Sequence, residues 1–307
     1  MLEKPSVELS IEPGTAPMQI AQAWVGAGVR TDPRFLYEWF RWSGQSKKIR
    51  AGSYEVHAGI TPRELLDKMV KGDQTLEQLR IIEGWNFRQL RAAVAAAPAL
   101  KQTLASMTDE QVMAALGAPG QAAEGRFFPD TYAYSRGVSD LTVLKRAHAA
   151  MQQRLTAAWG QRASGLPLKS PDDALILASI VEKETGAAAD RKKVAAVFIN
   201  RLRVGMPLQT DPSVIYGLGA QFDGNLRKVH LQTDTPYNTY TRAGLPPTPI
   251  AMPGKAALLA AVKPAETKAL YFVARGDGSS AFSATLAEHN RAVNQYQRST
   301  RNPGKTP

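Results

Sequence analysis

The chain has 307 residues, with 38 Lys and Arg against 27 Asp and Glu, for a formal charge of +11. A composition that is 44% hydrophobic and 21% charged is that of a globular chain and excludes a disordered one. The absence of cysteine removes disulfides, thiolate zinc sites and cysteine nucleophiles, and His57, His148, His230 and His289 lie too far apart in sequence for helical metal-ligand spacing, so no metal or cofactor is expected.

The excess of cations suits an anionic partner: nucleic acid, a membrane surface or a cell-wall polymer. Nucleic acid ranks last, because no basic helix or interleaved aromatic motif accompanies the net charge. No phosphate-binding loop, dinucleotide glycine fingerprint or nucleophile elbow occurs. No run reaches the ~18 apolar residues of a membrane span, and Met1 to Pro5 lack the apolar core of a signal peptide.

In chain order, three segments share a plan of strand, glycine turn and amphipathic helix. They are V-E-L-S-I-E-P-G ending at Gly14, Y-E-V-H-A-G ending at Gly59, and L-R-I-I-E-G ending at Gly84. Ile20, Leu65 and Leu90 follow these glycines at one equivalent position, and Trp24, Met69 and Val94 follow four residues later, so each pair marks one apolar helix face. Thr61-Pro62 with Glu64 is a capping-box start. With a further helix over about 33–42, the stretch from Val7 to Val56 reads β-α-α-β. That order resembles a LysM-type module, a family that binds N-acetylglucosamine-containing glycans; it equally fits a small α+β scaffold without a sugar site. Trp24, Trp39 and Trp42 are either sugar-stacking platforms or core. The Ala-rich stretch ending at Pro98 places a domain boundary near residue 97, dividing the chain into 1–97 and 98–307.

The second part opens with a long amphipathic helix from Asp140 to Trp159. Next comes S-P-D-D-A-L-I-L-A-S-I-V-E-K-E-T-G, Ser170 to Gly186. Ser170 caps this helix, Pro171 fits its first turn, Asp172 and Asp173 suit the positive end of its dipole, and Gly186 is a natural stop. The helix is apolar nearly all round, which implies burial. On a wheel of about 100° per residue, the mean direction of Leu175, Ile176, Leu177, Ile180 and Val181 lies within about 20° of Glu184, whereas Glu182 points about 160° away. A glutamate on the core face at a helix end is either salt-bridged or lining a cleft. Burial there favours the protonated acid that a general acid requires.

Downstream, a helix from Asp190 to Val204 precedes the loop G-M-P-L-Q-T-D-P-S-V-I-Y-G (205–217) and the segment T-P-Y-N-T-Y-T-R-A-G-L-P-P-T-P-I (235–250). Turn chemistry explains the prolines and glycines. It does not explain Gln209, Tyr237, Asn238 and Tyr240, whose amides and rings suit sugar hydroxyls, acetamido groups and ring faces. Strands are expected near 271–274 and 281–284, a final helix from about Leu286 to Gln297, and a disordered tail from Ser299.

A glutamate at a helix end, a Gln-containing loop and a later Tyr-Asn segment, in that order, resemble the lysozyme-like lytic transglycosylases. The chain more closely resembles the endolytic murein transglycosylase (MltG, YceG-like) family. The residues that carry this are A-S-I-V-E-K-E-T (178–185), V-F-I-N-R-L (197–202), the 205–217 loop, Y-N-T-Y (237–240) and G-L-P-P (244–247). E-G-R-F-F-P-D-T-Y (124–132), Y-F-V-A (271–274) and E-H-N (288–290) add to it. The resemblance implies an α+β fold, a LysM-like N-terminal module followed by a mainly helical lysozyme-like catalytic domain. It implies cleavage of the N-acetylmuramic acid β-1,4 N-acetylglucosamine bond within glycan strands, leaving 1,6-anhydro ends and terminating strand elongation. Its catalytic glutamate falls on Glu184. By motif position Gln209, Tyr237, Asn238 and Tyr240 bind sugar or stabilise the oxocarbenium ion, with Glu124, Asp130 and Asp211 as alternatives for supporting roles. Peptidoglycan strands are the implied substrate and wall-synthesis enzymes the implied protein partners. An inner-membrane anchor preceding these residues, with the catalytic part in the periplasm, is also implied. Two features depart from the family: no transmembrane helix is present, and Gly276 to Ser280 carry no histidine before Phe282. A hydrolytic muramidase using Asp211 or Glu182 as second carboxylate, and a non-catalytic glycan-binding scaffold, remain as alternatives.

Overall fold

The computed structural model describes residues 6–12 and 14–298; the tail from Ser299, expected to be disordered, lies outside the described residues. The first elements are β1 (Ser6–Ile11), α1 (Pro17–Ala27), α2 (Pro33–Trp42), β2 (Gly52–His57), α3 (Pro62–Lys71), β3 (Leu76–Arg80), α4 (Phe87–Ala95), α5 (Asp109–Ala115) and β4 (Thr131–Ser135). Then follow α6 (Asp140–Gly160), α7 (Pro171–Glu184), α8 (Arg191–Arg203), α9 (Asp211–Leu218), α10 (Lys228–Gln232), α11 (Lys255–Val262), β5 (Tyr271–Ala274), β6 (Ser280–Ser283) and α12 (Leu286–Val293). The fold is α+β, with the described strands in three two-stranded antiparallel sheets, β1-β2, β3-β4 and β5-β6. The last helix is shorter than expected, because Asn294–Arg298 winds on as a wider π-helix. No described helix is long and apolar enough to cross a membrane.

Contacts divide the chain into one unit of residues 1–80, 93–106 and 131–143 and another of 81–92, 107–130 and 144–307. This differs from a single cut near residue 97. The reason is strand pairing: β3 finds its partner in the distant β4, in the register Leu76↔Ser135 to Arg80↔Thr131. Residues 131–143 therefore return to the first unit.

In the first unit β1 pairs with β2 from Ser6↔His57 to Ile11↔Gly52. The repeat glycines, Gly14 and Gly59 of this unit and Gly84 of the second, all have positive φ (85°, 95° and 78°), a backbone that side chains other than glycine's rarely adopt. The helix positions of the repeat are all buried: Ile20 and Trp24, Leu65 and Met69, Leu90 and Val94. The first two copies meet directly, since the Trp24 indole N–H donates to Met69 Sδ at 3.2 Å. Thr61 and Glu64 form the expected capping box of α3, with Glu64 N donating to Thr61 Oγ1 at 3.2 Å and Thr61 N to Glu64 Oε2 at 2.9 Å. The tryptophans separate: Trp24 is core, whereas Trp39 and Trp42 face solvent.

In the second unit α7 is the centre. Every residue from Ala174 to Val181 is buried, packed against α8, α11 and the later part of α6. Its one buried hydroxyl is satisfied, because Ser179 Oγ donates to Ile176 O and accepts from Ile250 N at 3.0 Å. The β5-β6 hairpin brings Phe272 and Phe282 onto this core, Phe272 edge-on to Phe198 of α8 at 6.0 Å.

Candidate active site

α7 begins as its sequence requires, with Ser170 Oγ accepting from Asp173 N at 3.2 Å and Pro171 in the first turn. It ends two residues before Gly186. Thr185 turns extended, with φ −148°, and Glu184 is the last helical residue. Glu184 is half-buried and accepts a hydrogen bond from the Thr210 hydroxyl. Burial raises its pKa above the ordinary carboxylate value and the nearby Asp211 adds to this; the Thr210 hydroxyl and the Arg201 cation oppose. The net effect shifts the carboxyl toward its protonated form.

Glu182 faces elsewhere, as the wheel predicts. Its Oε2 accepts from Gly254 N at 2.8 Å, capping the start of α11.

A cavity of about 630 Å³ is lined by Glu184, Arg201, Gln209, Asp211, Tyr240, Tyr271 and His289, among others. The 205–217 loop reaches it through hydrogen bonds to the Tyr-Asn segment. Gln209 N donates to Thr239 O at 3.0 Å, Thr210 N donates to Thr239 Oγ1 at 3.0 Å, and Ser213 Oγ lies 2.9 Å from Thr239 Oγ1. Gln209 has φ 51°, the one positive φ outside glycine among the described residues. Backbone in this region is costly and is held only where its surroundings dictate it. The Tyr240 hydroxyl donates to Asp211 Oδ1 at 2.6 Å, and burial plus that carboxylate raise the phenol's pKa.

The structure thus brings Glu184, Gln209 and Tyr240 together and places the other two expected sugar-binding residues differently. Asn238 is fully buried. Its amide donates to His230 O, Leu231 O and Thr233 O (3.2, 3.1 and 2.6 Å), and its Oδ1 accepts from Tyr240 N at 2.9 Å, so it ties the loop together. Tyr237 lines a second cavity of about 710 Å³ with Glu124, Lys183 and Tyr216. Its ring meets Tyr216 edge-on at 4.9 Å and its hydroxyl lies 2.8 Å from Thr248 Oγ1. Tyr237, Asn238 and Tyr240 therefore point to three different places.

Glu124 is buried at 7% exposure, where its carboxyl accepts from Phe87 N, Gly125 N and the Tyr216 hydroxyl. Burial outweighs these donors and pushes its pKa up to about 7.

Sequence reasoning missed Arg201, Thr210, Tyr271 and His289 as members of the site. Arg201 is buried; it donates to Leu270 O and Leu208 O, both at 2.7 Å, and stands over the Tyr271 ring at 5.4 Å. Tyr271 stacks in turn on His289 at 5.2 Å, and His289 Nδ1 is buried without a hydrogen-bond partner. Arg201 had a signal: it follows Val194 by seven, Val197 by four and Phe198 by three, the same wheel relation that singled out Glu184. Tyr271 and His289 had none beyond their family-like segments, since only the tertiary fold stacks them. Among the described residues no three His, Asp or Glu side chains group as metal ligands.

A YceG-like family model matches residues 9–295, nearly the whole chain. The chain belongs to the YceG-like family. It is 31% identical to the endolytic murein transglycosylase of Bacillus subtilis (strain 168), an alignment covering 95% of this chain and 85% of that one. It is 27% identical to the protein of the same name from Streptococcus pneumoniae serotype 2 over 83% of this chain, but spans only 52% of that longer relative. The crystal structure of a YceG-like protein from Listeria monocytogenes matches with a TM-score of 0.60 and 28% identity, over 94% of this chain and 99% of that one.

Proposed function

We propose that this YceG-like chain cuts murein glycan strands internally as a lytic transglycosylase, with Glu184 acting first as acid and then as base. The observation that carries this reading is the Glu184 carboxyl: burial biases it toward the protonated form while it faces a polar cavity. The Bacillus subtilis and pneumococcal relatives, both named endolytic murein transglycosylases, support the same substrate.

In this reading Glu184 donates its proton to the bridging oxygen as the bond from muramyl C1 breaks. The resulting carboxylate then accepts the proton of the muramyl C6 hydroxyl as that oxygen bonds to C1. The product is a 1,6-anhydromuramyl end and no water is consumed. Ordinary glycosidases use two carboxylates; an internal alcohol held near C1 needs only one, and proximity supplies its advantage. Gln209 and Tyr240 contact sugar, while Arg201 and Thr210 hold the loop and the acid in place.

The β1-α1-α2-β2 order supports a LysM-like assignment for the first unit, and the helix-end glutamate supports a lysozyme-like one for the second. Release of nascent strands from elongation, an inner-membrane anchor preceding these residues, a periplasmic site of action and contact with wall-synthesis enzymes belong to the same reading.

One observation favours a second reading. Asp211 lines the Glu184 cavity, as a water-activating base of a hydrolytic muramidase would. Glu182 has no such place, because it caps α11. The test is Glu184→Gln on purified glycan strands. An unchanged circular dichroism spectrum with cleavage lowered at least about a hundredfold is expected; a variant that cleaves like the parent overturns the assignment.

A further inference from the structure

Helix α2 carries its aromatics on two faces. Leu36 and Phe40 are buried in the first unit's core. Phe35, Trp39 and Trp42 are 57%, 39% and 83% exposed, and at spacings of four and three residues they form one stripe along the helix. Isolated apolar side chains on a surface are ordinary; three large rings in a row are not. Leaving them in water forgoes a large apolar burial, and α2 already has its core face without them.

The chain that follows the stripe is cationic. From Trp39 to Tyr54 the chain has Arg41, Lys47, Lys48 and Arg50 and no Asp or Glu. Arg41 pairs on the surface with Glu38 at 3.0 Å. Lys47 and Lys48 are exposed on a short 3-10 turn, Ser46–Lys48, that follows α2. Large exposed rings followed closely by exposed lysines are what an amphipathic element offers to a membrane interface: the rings settle among the headgroups and upper acyl chains while the cations meet anionic lipid. A muramyl glycan also carries carboxylates for the lysines, but its hydroxyl-rich rings need hydrogen-bonding partners, and three large apolar rings in a row suit the acyl boundary of a membrane better.

From this arrangement we infer that the outer face of α2, with Phe35, Trp39 and Trp42, and the turn after it, with Lys47 and Lys48, dock the first unit on an anionic lipid surface. The contact is peripheral and reversible. It is separate from any spanning segment and independent of the assignment of Glu184.

The test is co-sedimentation of the full chain with vesicles of phosphatidylcholine alone and with phosphatidylglycerol added. Binding is expected to the anionic vesicles, weakened by salt and much weaker on the neutral ones. Phe35→Ser with Trp42→Ser should weaken it by about tenfold or more. Lys47→Gln with Lys48→Gln should weaken it by about thirtyfold, from two surface cations. Both pairs are exposed, so circular dichroism and glycan cleavage should stay at the parent's level. Absence of binding to anionic vesicles, equal binding to neutral ones, or variants that bind like the parent would each overturn the inference. Loss of binding to purified glycan strands, or loss of a parent dimer in sedimentation, with vesicle binding unchanged would overturn it too, and would give the stripe to glycan or to a second copy of the chain.

Discussion

Replacing Glu124 by Gln should flatten the dependence of stability on pH. The carboxyl is buried, and desolvation lifts its pKa from 4.5 to about 7 in the folded protein. An unfolded chain ionises the group near 4.5. Between those values the folded state holds a proton that the unfolded state has released, so stability falls as pH rises through this window. Below about pH 4.5 both states are protonated and the group exerts no such effect. Above about pH 7 both are ionised and the full loss is reached, about 3 kcal/mol from a shift of about 2.5 pH units at 1.36 kcal/mol each. Glu184 and Glu182, also raised by burial, act in the same direction, so the parent alone is not diagnostic. The quantity to measure is the difference between parent and Glu124→Gln in urea unfolding from pH 4.5 to 7.5. That difference should shift by about 3 kcal/mol in the variant's favour across the range, whatever its offset from the lost bonds to Phe87 N and Gly125 N. Exchange of those two amides gives a local check. Parallel stability curves would refute the reasoning and mean that the donors around Glu124 keep it ionised.

Glu182→Gln should cleave glycan like the parent and lose only part of its cap on Gly254 N; a dead Glu182 variant beside an active Glu184→Gln would reverse the assignment of the acid. Thr210→Val removes a bond that favours the carboxylate of Glu184, so the falling alkaline limb of the pH–rate profile should move to higher pH; an unmoved limb contradicts the coupling. Asn238→Ala should destabilise by about 2–4 kcal/mol, because a fully buried amide and its hydrogen bonds to four loop backbone groups are lost, with KM for short strands far less affected; a raised KM at unchanged stability would restore the sugar-binding role expected from its sequence.

What the sequence made legible was local and periodic. Positive-φ turns at Gly14, Gly59 and Gly84, the cap at Thr61 and the buried faces of α1, α3 and α7 all follow from residue spacing, because each is decided within a few residues. The inward direction of Glu184 follows from the same spacing, and Arg201 was open to the same arithmetic. The β3-β4 pair was not, since nothing in Leu76–Arg80 names a partner at Thr131–Ser135; a cut at residue 97 would leave β4 without β3. Within Y-N-T-Y, composition suggested three ligand-facing residues. The carbonyls of His230, Leu231 and Thr233 instead turn Asn238 inward, which only the folded loop could decide. Trp39 and Trp42 shared a helix pattern with core residues, and which face is buried depends on where the sheet lies.

In the proposed mechanism Glu184 serves an internal alcohol and not water. The direct test is cleavage of purified glycan strands in heavy-oxygen water, with the new muramyl ends weighed by mass spectrometry. Ring closure by the muramyl C6 hydroxyl predicts anhydro ends carrying no solvent oxygen. Reducing muramyl ends with one heavy oxygen at C1, formed in the first turnover, would contradict the account even with Glu184 confirmed as the acid, and would make Asp211 the water-activating base.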